Sequence, residues 1–84
     1  MDSMIVTLKN RTKEGFFKVE IKPVIGEKYF REFSDEALQQ YIFDCEAYCE
    51  YKGYQFKFII PTQIKQLMRS EISRVIELKK NQAK

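Results

Sequence analysis

The segment between Ser34 and Gly53 carries both end signals of one α-helix, and it constrains the fold more than any other feature. Ser34 is a preferred N-cap residue, and the two acidic residues after it favour the positive end of the helix dipole. Phe33 and Leu38 have the spacing of a hydrophobic staple, and Gly53 is the usual residue just past a helix end. The sequence therefore predicts a helix over residues 35–52.

This helix has one apolar stripe, which we expect to pack on a sheet. At about 100° per residue the stripe contains Leu38, Tyr41, Ile42, Cys45, Tyr48 and Cys49. It accounts for both cysteines of the chain, which we expect to be reduced, mostly buried thiols in a cytoplasmic protein rather than a disulfide. We expect no secretory leader and no membrane span, because no apolar run approaches the roughly 20 residues that cross a bilayer.

Alternating apolar residues predict four strands. The first runs from Met4 to Leu8, and the second carries Phe17, Val19 and Ile21 and ends before Pro23. A third strand covers residues 27–33, but its alternation does not determine the buried face. Residues 54–60 form a fourth strand, predicted to be a core strand because one face holds Tyr54, Phe56, Phe58 and Ile60.

The order of these elements predicts the fold class. A second helix is expected over residues 63–80 with Thr62 as its N-cap, and residues 81–84 are expected to fray. The order β-β-β-α-β-α then indicates an α+β fold with a mainly antiparallel sheet and both helices on one face. At 84 residues, the chain is expected to form a single domain, 1–84.

Few residues of the chain are suited to catalysis. It has no histidine, and its three glycines form no phosphate-binding motif. Cys45 and Cys49 could supply half of a zinc site in a symmetric dimer, but no further ligands are spaced to complete it, so buried thiols are the favoured interpretation. We therefore expect a protein that is not an enzyme and that has no cofactor or metal.

Charge is segregated along the chain, and it indicates a first candidate partner site. Residues 35–52 carry a net charge of −4, whereas residues 63–84 carry +4. On the first helix, opposite its apolar stripe, an aromatic line is flanked by acids, and the candidate residues are Glu36, Phe43, Asp44, Glu46, Ala47, Glu50 and Tyr51. The alternative is that the second helix, or a second copy of the chain, covers Phe43 and Tyr51.

A second candidate site consists of basic residues suited to nucleic acid. The outer sheet face would combine cations for phosphates with rings for stacking, and the second helix adds a basic stripe. Lysines are also ordinary residues on a solvated sheet face, which is the competing interpretation. The candidate residues are Lys9, Phe16, Lys18, Lys22, Lys57, Lys65, Arg69 and Lys80.

The leading hypothesis is a protein-binding module that acts through the acidic aromatic helix face. An inhibitor or regulator of a nucleic-acid-handling protein, of the kind that phages and mobile elements encode, would suit this surface because its targets present basic grooves. The first alternative is a nucleic-acid-binding protein that uses the lysines. The second is a homodimeric structural protein, in which the same surfaces serve self-association.

Overall fold

The computed structural model describes residues 2–67 and confirms the predicted order of elements. The strands and helices are β1 (Ser3–Arg11), β2 (Phe17–Lys22), β3 (Tyr29–Phe33), α1 (Asp35–Lys52), β4 (Gln55–Ile59) and α2 (Thr62–Leu67). The predicted continuation of the second helix to residue 80 and the predicted frayed tail 81–84 lie outside the described residues.

The sheet has four strands in the order β3-β2-β1-β4. The pairs β1–β2 and β2–β3 are antiparallel, whereas β4 pairs in parallel with β1. Helix α1 connects β3 with β4 at the opposite edge of the sheet. Because such a helical crossover lets the next strand run in the same direction as the one before it, β4 is parallel to β3 and to β1. The α+β class is therefore confirmed, with a mixed rather than a purely antiparallel sheet.

The β1–β2 hairpin contains a bulge at Lys9. Leu8 pairs with Val19 and Asn10 with Lys18, so Lys9 is an extra residue on β1 without a partner on β2. Three hydrogen bonds close the turn. The Thr12 amide donates to the Phe16 carbonyl at 2.7 Å, the Phe16 amide donates to Thr12 Oγ1 at 3.1 Å, and the Gly15 amide donates to the Thr12 carbonyl at 3.0 Å. The first two predicted strands thus form an antiparallel hairpin.

The core lies between the sheet and α1. Fully buried aliphatic and aromatic side chains come from both strands of the hairpin and from the helix, and they are Val6, Leu8, Phe17, Val19, Ile21, Leu38 and Ile42. Each such side chain contributes about 1.5–3 kcal/mol through loss of water contact. Ile64 of α2 packs against the same cluster, so both helices lie on one face of the sheet, as predicted.

The two edge strands are less buried than the hairpin. β4 was predicted to be a core strand, yet it pairs only with β1 among the described strands, and Phe56 and Phe58 are half-buried against the core. In β3 only Phe33 is buried. Tyr29 and Arg31 pair with the buried Ile21 and Val19, which places them on the side of the sheet that faces the helices.

Both ends of α1 are formed by the residues predicted from sequence. Ser34 has an extended backbone, and its hydroxyl accepts a hydrogen bond from the Ala37 amide at 3.3 Å. Gly53 adopts a left-handed conformation with φ of 79°, and its amide donates to the Glu50 carbonyl at 3.2 Å. Cys45 and Cys49 are buried free thiols on the inner side of this helix. Neither described helix, α1 or α2, is both long and apolar enough to cross a membrane.

Candidate protein interface

The outer side of α1 presents aromatic and acidic side chains to solvent. Phe43 is 40% exposed and Tyr51 is 84% exposed, with the exposed Ala47 between them on the helix surface. We call this surface the acidic aromatic face and define it by the predicted residues Glu36, Phe43, Asp44, Glu46, Ala47, Glu50 and Tyr51. All of them are exposed except Glu46, which is half-buried at the margin of the face. The predicted residues thus lie along the length of α1, and six of the seven are exposed.

The face is acidic because it holds four of the five carboxylates of α1, and the helix has a single basic residue. That residue, Lys52, lies in the last turn, and its ammonium is 5.7 Å from the centre of the Tyr51 ring. Asp44 accepts a hydrogen bond from Gln40 Nε2 at 2.8 Å, which fixes the carboxylate without neutralising it. A dense row of acids on one helix attracts basic partners over distances of about a Debye length.

Asp35 belongs to α1 but not to this face. Its carboxylate lies 3.0 Å from the Arg11 guanidinium at the end of β1, and both side chains are partly buried. The same guanidinium lies 4.6 Å from the centre of the Phe17 ring. This pair joins the start of the helix to the hairpin, so it positions the acidic aromatic face relative to the sheet.

The second candidate surface, on the outer side of the sheet, carries both signs of charge. Lys22 and Lys57 flank Ile5 in one row across three strands. Lys18 lies opposite Glu32, and its ammonium is 5.0 Å from the centre of the exposed Phe30 ring.

The remaining predicted basic residues do not extend this row into a continuous stripe. Glu20 lies in the middle of the sheet face and pairs with Lys28 at 4.0 Å. Lys9 is the bulge residue, and the exposed Phe16 precedes β2. Lys65 is exposed on α2, which packs on the opposite face of the sheet, while Arg69 and Lys80 lie outside the described residues.

A cleft that the sequence did not predict lies beside α1. Its volume is about 530 Å³, and it opens between the helix, the β2–β3 loop and the first residues of β1 and β4. Its lining is Met4, Pro23, Val24, Ile25, Tyr41, Asp44, Cys45, Tyr48 and Tyr54. Tyr41 and Tyr48 were assigned to the core stripe, but Tyr48 is 53% exposed. The apolar residues Val24 and Ile25 in the β2–β3 loop were the sequence signal that could have indicated a cleft wall facing the helix.

Two titratable groups of the cleft, Tyr41 and Cys45, are held in their neutral forms. Burial raises the pKa of Tyr41 above its usual value, and the neighbouring Cys45 and a hydrogen bond with Tyr29 act in the same direction. Burial also raises the pKa of the Cys45 and Cys49 thiols. A neutral thiol is a poor nucleophile, so these groups offer packing and hydrogen bonds rather than covalent chemistry.

Residues 2–67 contain no group of three or more acidic, cysteine or histidine side chains placed to hold a metal ion. A scan against models of protein families found no match for the chain, and searches among curated proteins and among solved structures found none either.

Proposed function

We propose that the protein is a non-catalytic binding module that docks on a basic surface of another protein through the acidic aromatic face of α1. The observation that carries this proposal is the exposure of Phe43 and Tyr51 on a helix side rimmed by carboxylates. Aromatic side chains are the commonest anchors of protein interfaces, and charges at the rim steer association.

A comparison with the exposed Phe30 on the outer sheet face favours the acidic aromatic face as the interface. Phe30 on the outer sheet face is already in contact with the Lys18 ammonium, and its surroundings contain Glu20 and Glu32. A face with both positive and negative charges is typical of a solvated sheet, and it does not favour a partner of either charge. The acidic aromatic face holds four carboxylates, and Lys52 is the single basic residue of α1, so the surface selects for a positively charged partner.

Proteins that handle nucleic acid present basic grooves to the phosphate backbone, and they are the partner class that fits this face best. A small module that covers such a groove would act as an inhibitor or regulator by excluding the nucleic acid. A cytoplasmic protein of a phage or mobile element suits this role. The proposal requires neither a cofactor nor a metal.

The test is a pull-down from a nuclease-treated bacterial lysate with wild-type protein and two matched variants. Phe43→Asp places a charge in the proposed anchor, whereas Phe16→Asp makes the same change at a phenylalanine of nearly equal exposure, 41% against 40%, away from this face. We expect one protein partner that is retained by Phe16→Asp and lost by Phe43→Asp. Equal retention by both variants would contradict the proposal.

Self-association through the same face is the second candidate, because exposed aromatics also serve contacts between two copies of a chain. The four carboxylates of the face would then meet their own counterparts, which is unfavourable without intervening cations. Light scattering after size-exclusion chromatography decides between the two. A mass of 10.1 kDa supports a partner-binding monomer, and a doubled mass that Phe43→Asp abolishes would support the dimer.

A further inference from the structure

We infer that the cleft beside α1 accepts a lysine side chain, together with its apolar neighbours, from an extended segment of the partner. This inference rests on the proposed function, because it names the chemistry that the partner brings next to the acidic aromatic face. The cleft and that face share Asp44, so one partner can contact both.

The aromatic wall of the cleft suits a cation. The Tyr48 and Tyr54 rings lie 6.4 Å apart between centres and are tilted by 56°, so they form a corner rather than a stack. An ammonium group within about 6 Å of a ring centre is attracted by the electron-rich face of the ring. Tyr41 contributes to the wall, but its own ring already contacts Phe33 and the Arg31 guanidinium.

Charge in the cleft favours the same ligand. Among the described residues that line it, Asp44 is the single charged one, and none of them is a lysine or an arginine. Its carboxylate is held at 2.8 Å by Gln40, which leaves its charge in place at the rim. This carboxylate repels an anionic ligand, whereas an ammonium group would find the carboxylate together with the corner formed by the Tyr48 and Tyr54 rings.

The rest of the lining suits the apolar part of the ligand. Met4, Pro23, Val24 and Ile25 form an apolar floor and rim, and Ile25 is 86% exposed. A lysine side chain combines a hydrocarbon stem with a charged end, so it matches this arrangement of apolar floor and acidic rim. A volume of about 530 Å³ exceeds one side chain and has room for a segment of two or three residues.

The experiment titrates the 15N-labelled full chain with two tripeptides and needs no partner protein. One is acetyl-Leu-Lys-Leu-amide, and the other replaces lysine with norleucine, which has a similar shape without the charge. We expect the lysine peptide to shift the amide signals of residues 44, 45, 48 and 54 and to bind about fivefold more tightly than the norleucine peptide.

Two matched variants locate the effect. Asp44→Asn removes the carboxylate at the rim of the cleft and should reduce the preference for lysine to about twofold or less. Glu14→Gln removes an exposed carboxylate of the β1–β2 turn, outside both the cleft and the acidic aromatic face, and should leave the preference unchanged. Equal affinities for the two peptides, shifts confined to other residues, or equal effects of the two variants would overturn the inference. Because no partner takes part, these results are independent of the Phe43→Asp pull-down, so either proposal can fail alone.

Discussion

The Arg11 guanidinium lies 3.0 Å from the Asp35 carboxylate, and it also lies over the ring of the buried Phe17. Through these two contacts one side chain joins the end of β1, the start of β2 and the first turn of α1. The pair is partly buried, so solvent and salt screen it less than an ion pair on an open surface.

We expect a double-mutant cycle on this pair to show coupling. Arg11→Met and Asp35→Asn should each lower the free energy of unfolding, and their coupling energy should be about 1 kcal/mol. Arg11→Met should cost more than Asp35→Asn because it also removes the contact with the Phe17 ring. Urea denaturation of the four proteins gives these values. A coupling energy of zero would show that the contact does not stabilise the junction between helix and hairpin.

The left-handed backbone conformation of Gly53 should restrict which residues position 53 tolerates at the end of α1. Alanine at this position should lower the free energy of unfolding by about 1–2 kcal/mol, because φ of 79° is unfavourable for a residue with a Cβ atom. Nothing lies within 4 Å of an added Cβ, so the cost is conformational and not steric. Asparagine tolerates this conformation, and Gly53→Asn should cost less than Gly53→Ala in thermal denaturation. Equal costs for the two variants would contradict this explanation.

Alkaline pH should destabilise the fold through Tyr41, Cys45 and Cys49. Burial raises the pKa of all three, so the unfolded chain loses these protons at a lower pH than the folded protein. Their contribution to stability is therefore complete below the ordinary thiol value of 9.0 and is lost as pH rises above it.

Urea denaturation between pH 7 and 10.5 should show this fall. The free energy of unfolding of the Cys45→Val/Cys49→Val double variant should fall less steeply with pH. Of the three groups with a raised pKa, this variant keeps Tyr41 alone. Stability that is constant over this range, or a slope that the double variant leaves unchanged, would be inconsistent with buried neutral thiols.

The outer sheet face should not bind single-stranded nucleic acid with useful affinity. Glu20 and Glu32 interrupt its lysines, so a phosphate backbone would meet repulsion along its path. Fluorescence anisotropy with a labelled 20-nucleotide oligothymidine at 150 mM salt should give no saturable binding below about 10 μM protein. Submicromolar binding that Lys18→Ala/Lys57→Ala abolishes would instead support the nucleic-acid alternative.

The sequence predicted α1 well because its signals are local. Ser34 and Gly53 determine the two ends through their own backbone conformations, and the stripe with Leu38 and Ile42 is read along one helix. The pairing of β4 with β1 is a long-range choice, and nothing in the alternation of Phe56 and Phe58 distinguishes an edge strand from a central one.

The same distinction applies to the sites. The sequence placed Phe43 opposite the helix stripe, but it left open whether the second helix or a second copy of the chain covers this residue, because that depends on contacts distant in sequence. The cleft could not be predicted, because it depends on where the β2–β3 loop lies relative to Tyr48 and Tyr54. Tyr48 has the sequence spacing of a buried residue of the apolar stripe although its side chain is 53% exposed, so the spacing alone does not reveal that it lines a cleft.

The most direct test of the proposed interface is site-specific photo-crosslinking in bacterial cells. The photoreactive residue p-benzoylphenylalanine replaces Phe43 in one protein, Tyr51 in a second and Phe16, as the control, in a third. The account predicts one crosslinked protein of the same mass from positions 43 and 51 and none from position 16. Crosslinks at position 16 with none at positions 43 and 51 would show that the partner binds elsewhere and would contradict the account.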